Sequence, residues 1–282
     1  MAIKKYLGID IGGTKIHAIQ KSGDKIVWSS TFKTPKTNRA QFLLQIEKII
    51  LESSSNADIL GIGMGVPSPV QPQGGRLTPA NLPCLKGFNL KDYIEKRYKI
   101  PVKIANDAQC FVRGEYLYGA GKGHKNVVGL TLGTGIGGGW ILDGKFYFGH
   151  TFSALEVGHM IIDGEREFEE LAASKFLRKM SSHHPLELQE MAREGDSEAQ
   201  KIYIALGKNL AKGIANIINI LNPEIIVLGG GVANAHSLFL DITKKEAVKY
   251  IISPMAKNTK IVLSRLKDHA GAMGAASLFE RD

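Results

Sequence analysis

Cysteine is scarce in this chain. Cys84 and Cys110 are the two it has in 282 residues, and neither stands in a CxxC pair, which excludes a disulfide framework and a cysteine-rich zinc site. Long uninterrupted apolar runs are missing as well. The most apolar stretch, Ile202 to Leu221, is broken by Lys208, Asn209 and Lys212, so no membrane span and no membrane partner are expected. There is no low-complexity tract and no block of like charge. Met1-Ala2-Ile3-Lys4-Lys5 runs straight into a strand-like segment and leaves no room for a signal peptide. A reduced, cytoplasmic protein is the expectation. The formal net charge is +9, a balance that suits phosphorylated ligands or nucleic acid. Lys and Arg are nevertheless scattered along the whole chain, which favours a solvated basic surface over a dedicated nucleic-acid patch.

Apolar residues make up 44% of the chain, enough for two lobes around separate cores. Glycine is abundant, with 32 residues, and two glycine-rich segments look like copies of one another. Leu7-Gly8-Ile9-Asp10-Ile11-Gly12-Gly13-Thr14-Lys15 is an apolar run, a Gly/Thr turn and a return. Gly129-Leu130-Thr131-Leu132-Gly133-Thr134-Gly135-Ile136-Gly137-Gly138-Gly139 repeats the pattern. Each reads as strand, tight turn, strand. Consecutive backbone N–H groups in such turns form anion-binding nests, and two nests on two similar units suggest a polyphosphate held between lobes.

The hydrophobic pattern predicts strands over Ile3–Ile9, Ile16–Gln20 and Lys25–Lys33, then an amphipathic helix over Asn38–Ser53 with Phe42, Leu43, Ile46, Ile49 and Ile50 on one face. Ile59–Val66 reads as a buried parallel strand that ends in Pro67-Ser68-Pro69. A helix over Asn89–Tyr98 with Asn89 as N-cap, a strand over Pro101–Ala105 and a helix over Ala108–Tyr118 complete the order βββαβαβα. Gly119 to Gly123 reads as a hinge, after which the series restarts with Val127–Leu132 and Gly138–Leu142. Helices follow over Phe168–Lys179, Leu186–Glu194 and Ser197–Leu221, with strands over Ile225–Leu228 and Lys260–Leu263 and a small-residue helix over Gly271–Phe279. The expected division is an N-terminal α/β lobe, 1–118, with the C-terminal helix of about 269–282 packing back on it, and a C-terminal α/β lobe, 119–268.

Four groups of residues carry chemistry. Asp10 ends a strand beside the first glycine turn, where a carboxylate next to a phosphate nest suits a bridging Mg²⁺; a turn-capping role is the alternative. Gly229-Gly230-Gly231 is a third turn, placed so that a flat ring could lie against its backbone. Asn106-Asp107 follows a strand and opens a helix, the place where ligands gather in open α/β sheets. An Asp there can take a proton from a substrate hydroxyl or serve only as a helix cap. Glu156-Val157-Gly158-His159 puts a carboxylate and an imidazole three residues apart, two ligands short of a metal site but suited to sugar hydroxyls.

Taken in order, these motifs, with Leu228 to Val232, resemble the ROK family of sugar kinases and related repressors. The resemblance spans nearly the whole chain. It implies an actin-like, hexokinase-like (ribonuclease H-like) α/β ATPase fold with two duplicated βββαβαβα lobes and an interlobe cleft. It implies Asp107 as the catalytic base and Asn106, Glu156 and His159 as sugar ligands. Asn81, in Pro79-Ala80-Asn81-Leu82-Pro83, falls where the family contacts the sugar. Ser68 stands in a loop that commonly reads Pro-Gly-Pro, and Glu170 resembles a second glutamate at the sugar's anomeric end. Gly12, Gly13, Thr14 and Lys15 would border the β- and γ-phosphates of ATP, Gly133, Thr134 and Gly135 would form the second phosphate turn, and Gly230 and Gly231 the adenosine side. Asp10 would meet Mg²⁺ through water. Most members carry a CxCGxxGC zinc segment between the ExGH histidine and the second glutamate. Here Met160 to Glu169 has no cysteine, so zinc is expected to be absent, with His159 held by hydrogen bonds instead.

The resemblance thus implies a cytoplasmic ATP-dependent hexose kinase, glucokinase-like in glycolysis, acting on O6 of glucose or a related hexose, as a homodimer and without a nucleic-acid partner. N-acetylglucosamine, N-acetylmannosamine, fructose and allose remain open as substrates. A sugar-responsive repressor would carry a helix-turn-helix domain before the first glycine turn, and Asp10 leaves no space for one. An actin-like filament protein would leave Asn106-Asp107 and Glu156/His159 unexplained.

Overall fold

A computed structural model describes residues 4–54, 59–68, 70, 76–79 and 81–280. Ile3, Pro69, Ala80 and the last two residues, which enter the expectations above, lie outside the described residues.

The first half builds one five-stranded sheet from β1 (Lys5–Ile11), β2 (Lys15–Ser22), β3 (Lys25–Lys33), β4 (Gly61–Val66) and β5 (Val102–Asn106), in the order β3-β2-β1-β4-β5. Helices α1 (Arg39–Ser54) and α2 (Leu90–Tyr98) cover its outer face, burying Phe42, Ile46, Ile49 and Ile50 from the first and Leu90 and Ile94 from the second. Asn89 caps α2 by accepting the Asp92 N–H at 3.2 Å. Helix α3 (Asp107–Tyr118) follows β5 without a connecting residue.

The second half repeats the plan. Strands β6 (Val127–Leu132), β7 (Ile136–Leu142) and β8 (Lys145–Tyr147) form a meander, and a short hairpin of β9 (Ile161–Asp163) and β10 (Arg166–Glu167) stands apart from it. Helices α4 (Phe168–Ala172), α5 (Ser174–Met180), α6 (Pro185–Arg193) and α7 (Ser197–Leu221) lead to β11 (Ile225–Gly229), α8 (Leu240–Tyr250) and β12 (Lys260–Leu263). The sheet order is β12-β11-β6-β7-β8, which read from the other edge is the third, second, first, fourth and fifth strand of the unit, as in the first sheet. The helix expected over Phe168–Lys179 is two helices, because Ala173 is extended at φ −114°, ψ −175°. β8, the β9/β10 hairpin and α8 were not anticipated by the periodicity.

Between the sheets lie α3 and the last helix, α9 (Ala270–Ala276). Their contact has almost no side chain in it. A β-carbon on Gly274 would overlap the Cys110 carbonyl oxygen, and one on Gly114 would overlap that of Ala270. The sheets meet the pair in the same way. Gly8 of β1 and Gly63 of β4 leave room for the Ala272 and Ala275 carbonyls, while Gly129 and Gly139 seat the Val112 side chain and Gly229 the Phe111 ring. In β4 the alternating sequence Gly61-Ile62-Gly63-Met64-Gly65-Val66 therefore has a purpose on each face: Gly61 and Gly63 admit the turn after the last helix and the helix itself, Gly65 admits the start of α3, and the three large residues fill the outer core.

Backbone overlap should make these positions far less tolerant than exposed glycines. Gly274→Ala is expected to cost about 3 kcal/mol or more. Gly123→Ala, which meets open space but has φ 86°, should cost about 1–2 kcal/mol. Urea unfolding followed by Trp28 and Trp140 fluorescence checks the ranking, and the reverse order would contradict this packing account.

Candidate functional site

Three parallel strands end side by side. Asp10 of β1 pairs with Gly65 of β4, and Val66 pairs with Asn106 of β5. This edge, formed by the C-terminal ends of parallel strands, is where an open α/β sheet presents its ligands. Because α3 starts at once, Asp107 is carried on its first turn and lies close over Gly65, where a β-carbon would stand 3.3 Å from the Asp107 Cα.

Asp10 and Asp107 therefore converge. Burial and the neighbouring Asp107 push the Asp10 carboxyl up to about 7, against a partial pull from Lys15. Burial pushes Asp107 up to about 6, opposed by backbone N–H groups and supported by Glu156. The repulsion between the two acids falls on Asp10, and the pair titrates as a unit. The Asp10 carboxylate lies against Gly271, at the start of α9, where a β-carbon would collide with it. Gly271 is a site residue that the sequence reading assigned only to helix packing; its sole signal was a glycine where a helix begins.

Beside Asp10 the β1–β2 turn is held by the Gly12 N–H donating to the Lys15 carbonyl (3.0 Å) and by Thr34 Oγ1 donating to the Gly12 carbonyl (2.8 Å). Thr14 and Lys15 are exposed, and Lys15 Nζ pairs with Asp268 at 3.0 Å. Asn81, also exposed, faces this turn: a β-carbon at Gly13 would be 3.6 Å from Asn81 Cβ. In the second lobe the Gly133 N–H donates to the Gly135 carbonyl (2.9 Å), and the Gly133 carbonyl accepts the Ser174 N–H (3.0 Å). Thr134 is exposed at its tip. Gly230 takes φ 87° and presses on the Leu132 carbonyl, so the third glycine turn abuts the second, with Gly231 open.

Asn106 is both cap and neighbour. Its Oδ1 accepts the N–H groups of Ala108 (3.0 Å) and Gln109 (3.2 Å), and its Nδ2 donates to the Ser68 carbonyl at 3.5 Å. Ser68 is buried, and its Oγ accepts the Thr78 N–H at 3.1 Å, so it fixes the loop that carries it.

Glu156 and His159 bracket a single 3-10 turn and are both exposed. His159 Nδ1 bonds Glu167 Oε2 at 3.0 Å, and that bond holds the imidazole above its ordinary pKa, with Glu169 and Glu156 adding to the effect. Glu170 turns away: its carboxylate accepts the Glu167 N–H at 3.1 Å at the start of α4. The acid beside His159 is instead Glu169, which is buried, accepts the Ile136 N–H at 3.2 Å, pairs with Lys175 and fills the space next to Gly135. Glu170 rests as a sugar ligand on the family resemblance alone. The ligand atoms of His159, Glu167 and Glu169 lie within 4.8 Å of one another. One imidazole and two carboxylates already engaged elsewhere do not fit the closed four-ligand set of a structural zinc, and both cysteines are buried in the cores of other segments.

A family model described as "ROK family" matches residues 6–282. The chain is 33% identical to a glucokinase of Thermotoga maritima over 309 residues, covering 98% of this chain and 97% of that protein. It is 28% identical over 300 residues to an N-acetyl-D-glucosamine kinase of Erwinia tasmaniensis, covering 97% and 98%. Among solved structures, a ROK family glucokinase from Streptomyces griseus in complex with glucose and AMPPNP superposes with a TM-score of 0.86 at 27% identity, over 97% of this chain and 98% of that one.

The raised Asp10 fixes the sign of a pH effect. Between the unfolded carboxylate value of about 3.9 and the folded value of about 7, the folded chain keeps a proton that the unfolded chain has lost. Stability of the ligand-free protein in chelator is thus lost from this group as pH rises through that window. Asp10→Asn should remove the loss, so the variant should gain on the wild type between about pH 5 and about pH 8. Urea unfolding at both values measures the difference; a constant gap would overturn the assignment.

Proposed function

This chain belongs to the ROK family, with the actin-like, hexokinase-like fold of its sugar kinases, and on that premise we propose that it transfers the γ-phosphate of ATP to O6 of glucose or a closely related hexose, with Asp107 as general base. The observation that carries the reading is the placement of Asp107. It stands at the common end of three parallel strands, beside Asp10 and the first glycine turn, and within electrostatic reach of Glu156 from the other lobe.

In this reading the attacking hydroxyl donates to Asp107. A carboxylate lifted to about 6 is a stronger base than an ordinary aspartate and is still largely ionised at neutral pH. The Ala108 N–H on Asp107 Oδ1 (2.9 Å) fixes the side chain and leaves the second oxygen to face substrate. Asn106, Glu156, His159, Asn81 and the Ser68 loop would orient the sugar, and the Glu167 bond sets which His159 nitrogen turns towards it. Glu169 would join them in place of the outward Glu170. The turns Gly12–Lys15 and Gly133–Gly135 would cradle the phosphates, with Gly230 and Gly231 on the adenosine side; a side chain at Gly135 or Gly230 would intrude on packed neighbours. Two convergent acids beside a phosphate nest fit a divalent cation, and Asp10 would hold Mg²⁺ through water; when bound it offsets phosphate charge. Positioning and electrostatics would supply most of the rate.

Asp107→Asn should keep the fold and sugar affinity, yet lose at least about a hundredfold in turnover. In the wild type, kcat/KM should rise with pH through about 6 as the base ionises. A coupled ADP-release assay over glucose, N-acetylglucosamine, N-acetylmannosamine, fructose and allose reads both turnover and substrate choice; near-normal turnover in the variant removes Asp107 from the role. We further propose that the protein works without zinc, Glu167 taking the place of a metal on His159. Elemental analysis of protein purified without chelator should find it well below stoichiometric, and one zinc per chain would refute this.

A further inference from the structure

The chain passes between the two sheets twice, at residues 119–126 and 264–269. Between the crossings lies Glu115, on the last turns of α3, with 0% exposure and no part in the site described above. Its Oε2 accepts the Ala120 N–H at 2.7 Å and the Arg265 N–H at 3.2 Å. Its Oε1 accepts Ser264 Oγ–H at 2.6 Å and the Leu266 N–H at 2.8 Å. Four donors use the full acceptor capacity of one ionised carboxylate, and such bonds are stronger than neutral ones. They come from both crossings, so segments remote in sequence share one anchor.

The surroundings are shaped for this side chain. A β-carbon on Gly119 would overlap Glu115 Oε2. Ser264 Oγ also accepts the Lys267 N–H at 2.8 Å, at the point where Lys267 takes φ 54°. The helix that ends at this clasp begins at Asp107, about 12 Å away along the axis. A rigid element therefore runs from the pivot to the proposed base.

We infer that Glu115 is the hinge clasp of the two lobes, a positioning residue that fixes the axis about which they close. Through α3 it sets where Asp107 meets Glu156 and the Gly133–Gly135 turn of the opposite lobe. The catalytic part of this inference rests on the kinase reading; the clasp itself does not.

Two variants and two measurements test it. Glu115→Gln keeps the shape but turns one oxygen into an amide that faces two donors, whichever way it points. Ser264→Ala removes a single donor and leaves the carboxylate intact. In hydrogen exchange on the ligand-free protein, Glu115→Gln should speed exchange at both 119–121 and 265–267, because the amide opposes two of the donors and its carbonyl oxygen is a weaker acceptor than a carboxylate for the other two, whereas Ser264→Ala should act mainly at the second segment. In the ADP-release assay Glu115→Gln should lower kcat by roughly tenfold to a hundredfold, the scale of a small misplacement of reacting groups, with KM for sugar and ATP within about threefold. Faster exchange at one crossing only would overturn the clasp. Unchanged kcat in folded Glu115→Gln would overturn its positioning role. If Glu115→Gln does not fold, an unchanged exchange pattern in Ser264→Ala overturns the proposal on its own. A wild-type protein inactive on every sugar would remove the kinase reading, and the exchange measurement would still decide the clasp.

Discussion

The close approach of α3 and α9 is the contact on which the rest of the molecule depends. Backbone meets backbone at Gly114 and Gly274, with Cys110 and Ala270 carbonyls filling the space that side chains would need. Dense packing of this kind is intolerant of added volume. Because both sheets bring glycines to the same helix pair, one geometric constraint fixes three things: the depth of each sheet, the start of α3 at the strand ends, and the position of Gly271 against Asp10. Asp107 and Glu115 are then placed at opposite ends of one rod.

The electrostatics follow from that placement. Burial at this edge makes ionisation costly and lifts Asp107 to about 6, and burial with repulsion from Asp107 lifts Asp10 to about 7. A free surface aspartate would have neither property. The second crossing adds further polar contacts: Asp268 pairs with Lys15, and His269 Nδ1 bonds the buried His17 at 2.9 Å. Burial and His269 hold His17 down to about 4, so that ring remains neutral near the first glycine turn. In the proposed reading, phosphates would meet these backbone turns on a chain of net charge +9, and the two acids would serve a proton and a cation.

Local pattern carried much of the fold. The repeated strand–turn–strand units, Asn89 as a cap, the α1 face and the length of α7 follow from residue spacing, because amphipathic period and capping chemistry act within a few residues. The cap expected of Asp107 is supplied by its neighbour: Asn106 Oδ1 accepts the Ala108 and Gln109 N–H groups, and Asp107 is the first residue of α3. What local pattern missed is equally specific. Helix α8 buries only Thr243 and Ala247 among its residues, too weak a stripe to announce itself. The break at Ala173 serves tertiary needs, since it lets the Ser174 N–H reach the Gly133 carbonyl.

The amino-acid sequence by itself determined the duplicated α/β plan and the three glycine turns and named Asp10, Asn106, Asp107, Glu156 and His159 as candidates, because each is written in residues that are neighbours along the chain. Only the tertiary structure decided which glutamate stands beside His159, that Gly271 cradles Asp10, and that Glu115 joins the two crossings. Those facts depend on which way a side chain faces and on segments that meet across the whole length of the chain. Burial and long-range hydrogen bonding settle both, and neither leaves a periodic trace in the sequence.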